Sequence, residues 1–486
     1  MVRKRRNRVK FGAVEIFSFL LIFGLAFFGF QFITKTGVFS VPGVVYYDES
    51  LSTRELEILN SIFSEDVVLD KDVKISANEN SSRSELKAGD YLYEITVPVT
   101  DFYDTRTDVS EFDENEVEYI PIEDLDFTKK LLSIEDHYFL DDFDSGAVFR
   151  VISFESDKFE DEIKPLVDES FQKKFPEKSS VLTFAQTGVT AMSRGMNKKL
   201  EEIGGDATYF SEKIKDYLSN FDLTHTSNES SFSDSANSKN ICSDRCFLDT
   251  LKSIGLDIVE LTGNHNQDCG DDDASDTIDT YNENGIKIVG GGKNSTEASI
   301  PLKLNEKDTN ITFLAYNLST GGATHGNTPG ANQYYEENAV SEISSAKENG
   351  NFVMVDIQYY ECSAYVSETE DTTCDYADSS AGDQISFFRH LIDLGADMVV
   401  GTSAHQPQTF ELYGDGVIYY GLGNLFFDQI WWPGTTRSLI LSHYFYDGKL
   451  LQTKVVPTAY DENMQTDLLD KETAKWFLGR LINVRP

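Results

Sequence analysis

From about residue 179 the chain alternates short strand-like apolar runs with helical segments, and this rhythm constrains the fold more than any other feature. Residues 181–185, 256–261, 286–290, 311–316, 352–358, 398–400 and 417–421 read as strands, and residues 197–203, 209–219, 275–284, 336–349 and 383–393 as helices. Such alternation predicts a layered α/β sheet whose carboxyl-end loops build the site. Two further strand-like runs, 437–445 and 450–456, close the pattern, and 473–481 reads as a final helix within a C-terminal tail, 461–486.

Upstream, residues 45–175 predict a separate small α/β domain. Strand-like runs at 91–99 and 148–154 are joined by acidic connections; 101–118 is polar and loop-like, and 131–143 is mixed. No chemical constellation occurs there, which leaves a spacer or recognition module.

The N-terminus predicts topology. Arg3, Lys4, Arg5, Arg6, Arg8 and Lys10 form a basic, cytoplasmic segment at 1–15, and residues 16–33 are apolar except for Gln31. Eighteen residues span about 27 Å as a helix, close to the hydrocarbon thickness of a bilayer. A single transmembrane signal anchor is therefore expected at 16–34, with the body extracytoplasmic. The following TKTGVFSVPG offers no A-x-A-like cleavage site, which argues against a cleaved signal peptide.

The whole chain carries a formal charge of −40, and residues 1–35 hold seven Lys/Arg against one carboxylate, so the body is near −46. Such a surface repels nucleic acid and anionic headgroups, and no nucleic-acid partner is expected. Five cysteines fall in the body. Cys362 and Cys374 flank a polar loop that a disulfide would close in an oxidising compartment; Cys242 pairs with Cys246, or one of the two with Cys269. Their spacing matches no zinc knuckle.

Four loop segments carry unusual polar residues at strand ends: TGVTAMSRG (187–195), HTSNESSF (225–232), GNHNQDCG (263–270) and GTSAHQPQTFELYGDGVIYYGLGNLFFDQ (401–429). None is decisive alone, since Gly-Asn turns are common. Their order and placement together resemble the capsule synthesis protein CapA family, associated with poly-γ-glutamate biosynthesis. The resemblance covers about 179–456 and implies a calcineurin-like metallophosphoesterase fold, a four-layer α/β/β/α sandwich over 179–460. The G-x-x-x-H-x-x-Q, E-x-Y and Y-x-LGN-x-x-F order in the last segment carries most of it.

The resemblance also implies loops that hold one or two divalent metals, and here the chain departs from the pattern. The first loop normally supplies Gly-Asp, but Val189 follows Gly188. Asn228-Glu229 matches the second approximately. In the third, Asn264 matches as a ligand, His265 lies beside it, and Asp268 falls at the family's acidic position. Gln358 replaces a strand-ending histidine, and Ser403 stands where the first of two histidines belongs, leaving His405. Valine coordinates nothing, and neutral oxygens hold transition metals poorly, so Glu229, Asn264 and His405 predict at best one weak metal site (Mn, Fe or Zn) or none. A conventional binuclear phosphoesterase is not expected, and any activity would be that of a metallophosphoesterase-like hydrolase.

In the implied cleft, His265, Asp268 and Glu361 supply acid–base groups. Arg194, Asn228, Gln358 and Gln408 supply substrate contacts, with Arg194 either pairing an anionic group or closing a salt bridge within its loop. The implied function is biosynthesis, export or attachment of a capsule or envelope polymer, through binding of the anionic polymer or its precursor. Alternatives are a metal-dependent hydrolase of phosphate or amide bonds and a pseudoenzyme scaffold for other membrane components. Three features read as structural. Asp271–Asp273 marks a solvated helix start, GGG at 290–292 a turn, and the aromatics of 426–433 mostly core.

Overall fold

Alternation along each strand decides which side of its sheet a residue packs on, and in this chain that rule builds cores on both faces of two sheets. The computed structural model describes residues 43–64, 67, 69–113, 115–171, 173–318, 321–359, 384–431 and 434–486. Among them no helix is long and apolar enough to cross a membrane. The anchor expected at 16–34, Glu361, and the Cys362–Cys374 loop lie outside the described residues.

Contacts divide the chain into two units. The first takes 43–78, 87–91 and 152–172; the second takes 79–86, 92–151 and 173–486. The units thus cut across the division expected at 175–179, because 92–151 cluster with the longer C-terminal part. In the first unit a short strand, Val45–Tyr47, runs parallel to Val73–Ile75. Helix Thr53–Ile62 starts on a capping box in which Ser52 and Glu55 satisfy each other's backbone N–H groups. Tyr91 packs against Phe154, Phe159 and Phe171, and its hydroxyl donates to Asp168 at 2.6 Å.

The second unit holds the predicted alternation. Strands β1 (Leu182–Thr190), β2 (Leu223–Asn228), β3 (Ile258–Glu260) and β4 (Lys287–Val289) are consecutive parallel neighbours. Strands β5 (Leu302–Glu306), β6 (Thr309–Asn317), β7 (Phe352–Gln358), β8 (Met398–Thr402), β9 (Phe410–Tyr413) and β10 (Gly416–Tyr419) form a six-stranded sheet in the order β5-β6-β7-β8-β10-β9. In it β6, β7, β8 and β10 are parallel, with antiparallel edges. The first sheet is completed by β11 (Asn424–Phe426), β12 (Arg437–Tyr446), β13 (Lys449–Tyr460) and β14 (Thr466–Leu468), with β12 antiparallel to β1.

Period two sorts the side chains. Phe184, Leu223 and Ile258 from the first sheet join Phe313, Met354, Met398 and Val400 from the second in one cluster. Neighbouring residues point the other way. Ala185 and Val259 pack with helix residues Met196, Phe247 and Tyr281, while Leu314, Val353 and Val399 pack with Ile343, Phe388 and Leu391. The layers therefore run helix, sheet, sheet, helix. The stretch read as one helix at 209–219 is broken, into a 3₁₀ turn (Ala207–Ser211) and a short helix (Lys215–Leu218). Asp271–Asp273 does open a helix, Asp271–Glu283, where carboxylates favour the dipole.

Of the cysteine pairings left open, the structure forms Cys242–Cys269, across a separation of 27 residues, and leaves Cys246 as an exposed thiol. The bridge ties the loop after β2 to the loop after β3. Constraining a segment of that length in the unfolded chain contributes about 3.5 kcal/mol in the loop-entropy picture. Cys269→Ser is expected to lower the denaturant midpoint of the oxidised protein correspondingly, and an unchanged midpoint would show that the bridge constrains little.

Candidate binding cleft

The carboxyl ends of five parallel strands from the two sheets carry the polar residues that the sequence singled out. Thr190 at the end of β1 pairs in register with Asn228 at the end of β2. In the other sheet Asn317, Gln358 and Thr402 lie side by side at the ends of β6, β7 and β8. Asn264 enters from the loop after β3. Its neighbour Gly263 lets that loop pass close to Glu229, for a Cβ there would sit 2.7 Å from the Glu229 Cα.

Gln358 is the hub. Its side-chain nitrogen donates to Asn264 Oδ1 at 3.0 Å and faces Glu229 Oε1 at 3.4 Å, while Thr402 Oγ1 donates to its oxygen at 3.5 Å. His405 Nε2 stands 3.8 Å from Glu229 Oε2. Glu229, Gln358 and His405 are buried, and the cluster meets solvent at the half-buried Asn264 and His265.

The orientation of His405 follows from its other nitrogen. Asn424 uses its amide N–H groups on Gln429 Oε1 (3.1 Å) and the Thr435 carbonyl (2.9 Å), so its oxygen is left to accept from His405 Nδ1 at 2.8 Å. Nδ1 therefore carries a proton and Nε2 is aimed at Glu229. Ser403, two residues earlier, adopts φ +80°, a left-handed conformation costly for a residue with a side chain and held here at the turn into His405. Phe427 backs the ring at 5.2 Å and also lies 4.8 Å from the Arg194 guanidinium.

Beneath the cluster, a layer of buried ionisable groups joins the sheets. Gln186 of β1 donates to Asp356 Oδ1 of β7 at 2.7 Å, and His225 Nε2 of β2 lies 3.4 Å from Asp356 Oδ2. His443 of β12 contacts Gln186 Oε1 at 3.2 Å. Burial, then the nearby Glu260, holds the Asp356 carboxyl well above its ordinary range. Burial pushes His225 down to about 3, with His443 adding to it, and pushes His443 down to about 3. Burial thus works against charge on both partners of the Asp356–His225 contact. Glu260, at the end of β3, is pushed up to about 7 by burial with a contribution from Glu229, against opposing hydrogen bonds from Ser227 and Thr262.

The structure therefore brings Glu229, Asn264, Gln358 and His405 together. Other candidates are engaged locally. His265 Nδ1 and Asp268 Oδ2 pair at 2.8 Å near the surface. Arg194 binds Asp428 of a different loop segment at 2.6 Å, a salt bridge between loops and not the one expected within its own, and Gly195 N donates to the same carboxylate. The Asn228 side chain donates to the Ser230 carbonyl, and Gln408 accepts from Gln384. Asn424, Asp428, Glu260, Asp356 and His225 were not singled out. Asn424 lay in the LGN motif, and Asp356 two residues before Gln358, spacings that place them beside known candidates.

The donor set does not fit two metal ions. Val189 is buried in an apolar cluster with Ala191 and Phe427, and the Gln358 amide hydrogens face the Glu229 and Asn264 oxygens that an ion would need. Among the described residues no group of three His, Cys, Asp or Glu is arranged to hold a metal.

Two α/β sheets with this polar cluster at their strand ends define the class, and the family follows from comparison. A family model described as bacterial capsule synthesis protein PGA_cap matches residues 183–429, and the chain belongs to that family. Among characterised relatives, the capsule biosynthesis protein CapA of Bacillus anthracis is 24% identical over 320 residues, 60% of this chain and 74% of the relative. The PGA biosynthesis protein CapA of Bacillus subtilis (strain 168) is 24% identical over 276 residues, 55% of this chain and 69% of the relative. A crystal structure of TT1561 of Thermus thermophilus aligns with 55% of this chain and 99% of its own at 10% identity, but its TM-score of 0.28 gives it no weight for the fold.

Because Glu260 has a raised pKa, its proton stabilises the folded state below the unfolded value near 4.5, and that stability is lost as pH rises towards about 7. Glu260→Gln removes the loss. Its stability advantage over the parent is expected to grow between pH 4.5 and 7 and to level off above; calorimetry showing a constant difference across that range would contradict the assignment.

Proposed function

We propose that this chain takes part in making, exporting or attaching a poly-γ-glutamate-like capsule or envelope polymer, binding polymer or precursor in the cleft around Gln358. The observation that carries the reading is the amide-rich convergence of Gln358, Asn264, Glu229 and His405 at the strand ends of a capsule synthesis family member. The names of the two Bacillus relatives, capsule biosynthesis and PGA biosynthesis, point the same way. An amide-linked chain presents one N–H and one C=O at each linkage, and side-chain amides with an imidazole match those groups in both directions. Recognition through amides also suits a body near −46, in which the Arg194 charge is already committed to Asp428.

On this reading the helix–sheet–sheet–helix body is a metallophosphoesterase-like sandwich whose metal chemistry has been given up, which makes the protein a binding component or scaffold rather than a binuclear hydrolase. The apolar run at 16–34 anchors it with the body outside the cytoplasm, where the polymer is assembled. The Cys242–Cys269 disulfide suits that oxidising side of the membrane.

Calorimetric titration of γ-linked glutamate oligomers into the full chain in lipid nanodiscs tests the cleft. Gln358→Leu leaves buried partners of the amide unmatched, and about a tenfold loss of affinity is expected. Equal binding by the variant would remove the cleft from the interaction. Metal analysis of the same preparation checks the chemistry. Stoichiometric Mn, Fe or Zn that disappears in His405→Ala would overturn the scaffold reading in favour of a hydrolase.

A further inference from the structure

Away from the cleft, the second unit holds a partly open cavity of about 320 Å³ between the C-terminal helix, strand β13 and the 102–141 region. Its walls are apolar, with Phe102 and Phe410 meeting edge to face at 5.8 Å and Leu478 and Ile482 facing in from the helix Lys471–Asn483. Its lining is far less acidic than the molecule as a whole. Four lysines (130, 454, 471 and 475) line it with three aspartates (104, 136 and 141), in a chain holding 82 carboxylates against 42 Lys and Arg.

The lysines differ in how they are held. Lys454 is near the surface and paired with Asp141 at 3.1 Å. Lys475 is held by Glu111 at 2.5 Å, and Lys471 stands 3.8 Å from Glu111 and 3.4 Å from Asp136. Lys130 is different. Its ammonium donates to the backbone carbonyl of Asp104 at 2.6 Å, and burial pushes it down to about 8, opposed by the neighbouring acids. A part-buried ammonium held by a carbonyl gains from an anion that enters the cavity.

We propose that this cavity binds a small anionic amphiphile, with a carboxylate or phosphate head on Lys130 and a short aliphatic chain against Phe102, Phe410 and Leu478. Its volume lies at the lower end of small-molecule sites, and its make-up, apolar walls with a few placed polar groups, is that of such sites. The site shares no residue with the cleft and stands or falls apart from the polymer-binding reading.

Equilibrium dialysis with octanoate, octyl phosphate and octan-1-ol, using the full chain in nanodiscs and empty discs as reference, tests it. Saturable binding of either charged probe is expected, with the stronger of the two identifying the head group. Lys130→Met should weaken the charged probes about tenfold and leave octan-1-ol unchanged, Lys130→Arg should restore them, and Leu478→Trp should fill the cavity and abolish all three. Leu478→Trp sits on a helix face, so it reports even where the part-buried Lys130→Met does not fold. The proposal is overturned if neither charged probe saturates, or if Leu478→Trp binds them as the parent does.

Discussion

The hydrogen bond from Gln186 to Asp356 joins the two sheets at their centre, and the geometry of the cleft depends on it. Both side chains are fully buried, on strands that belong to different sheets. Burial disfavours an ionised Asp356 there and equally disfavours a charged His225 beside it. A directional hydrogen bond between fully buried side chains ties β1 to β7. Two residues further along β7 sits Gln358, so whatever sets the position of Asp356 also sets the hub of the cleft.

The same logic extends up to the site. Glu260 sits between Asp356 below and Glu229 above, each raising the energy of its neighbour's charge. Packing carboxyls this closely is unfavourable when several ionise, and proteins commonly relieve such crowding with a cation or with shared protons. Here burial and mutual repulsion raise the Asp356 and Glu260 carboxyls, which favours their protonated forms, and the amide hydrogens of Gln358 face Glu229. Glutamine at 358 is thus more than a lost ligand, because its N–H groups offer Glu229 the positive partial charge that an ion would otherwise supply.

Much of the architecture was legible in the sequence because a parallel sheet covered on both faces writes itself as short β-branched runs separated by helical segments. The strand ending at Gln358, the strand beginning at Met398 and the helices near 275–284 and 336–349 follow directly. Edge elements such as Leu302–Glu306 and Phe410–Tyr413 were missed, since antiparallel edge strands lack the continuous apolar signature. Residues 92–151 read as part of a separate domain, yet they cluster with the body through contacts that local pattern cannot reveal, among them Leu131 N donating to Gln452 Oε1, 321 positions away.

For the site, motif order identified Glu229, Asn264, Gln358 and His405, but not how they would be satisfied. Partners such as Asn424 for His405 and Asp428 for Arg194 come from β11 and the residues just after it, and a pairwise contact leaves no period in the sequence. The difference matters for Arg194, whose two readings carried opposite consequences. Locked to Asp428 and stacked on Phe427, it stiffens the same aromatic wall that backs His405. A cation that looked like a substrate anchor is instead part of the frame, so the cleft's recognition chemistry rests on amides and one oriented imidazole.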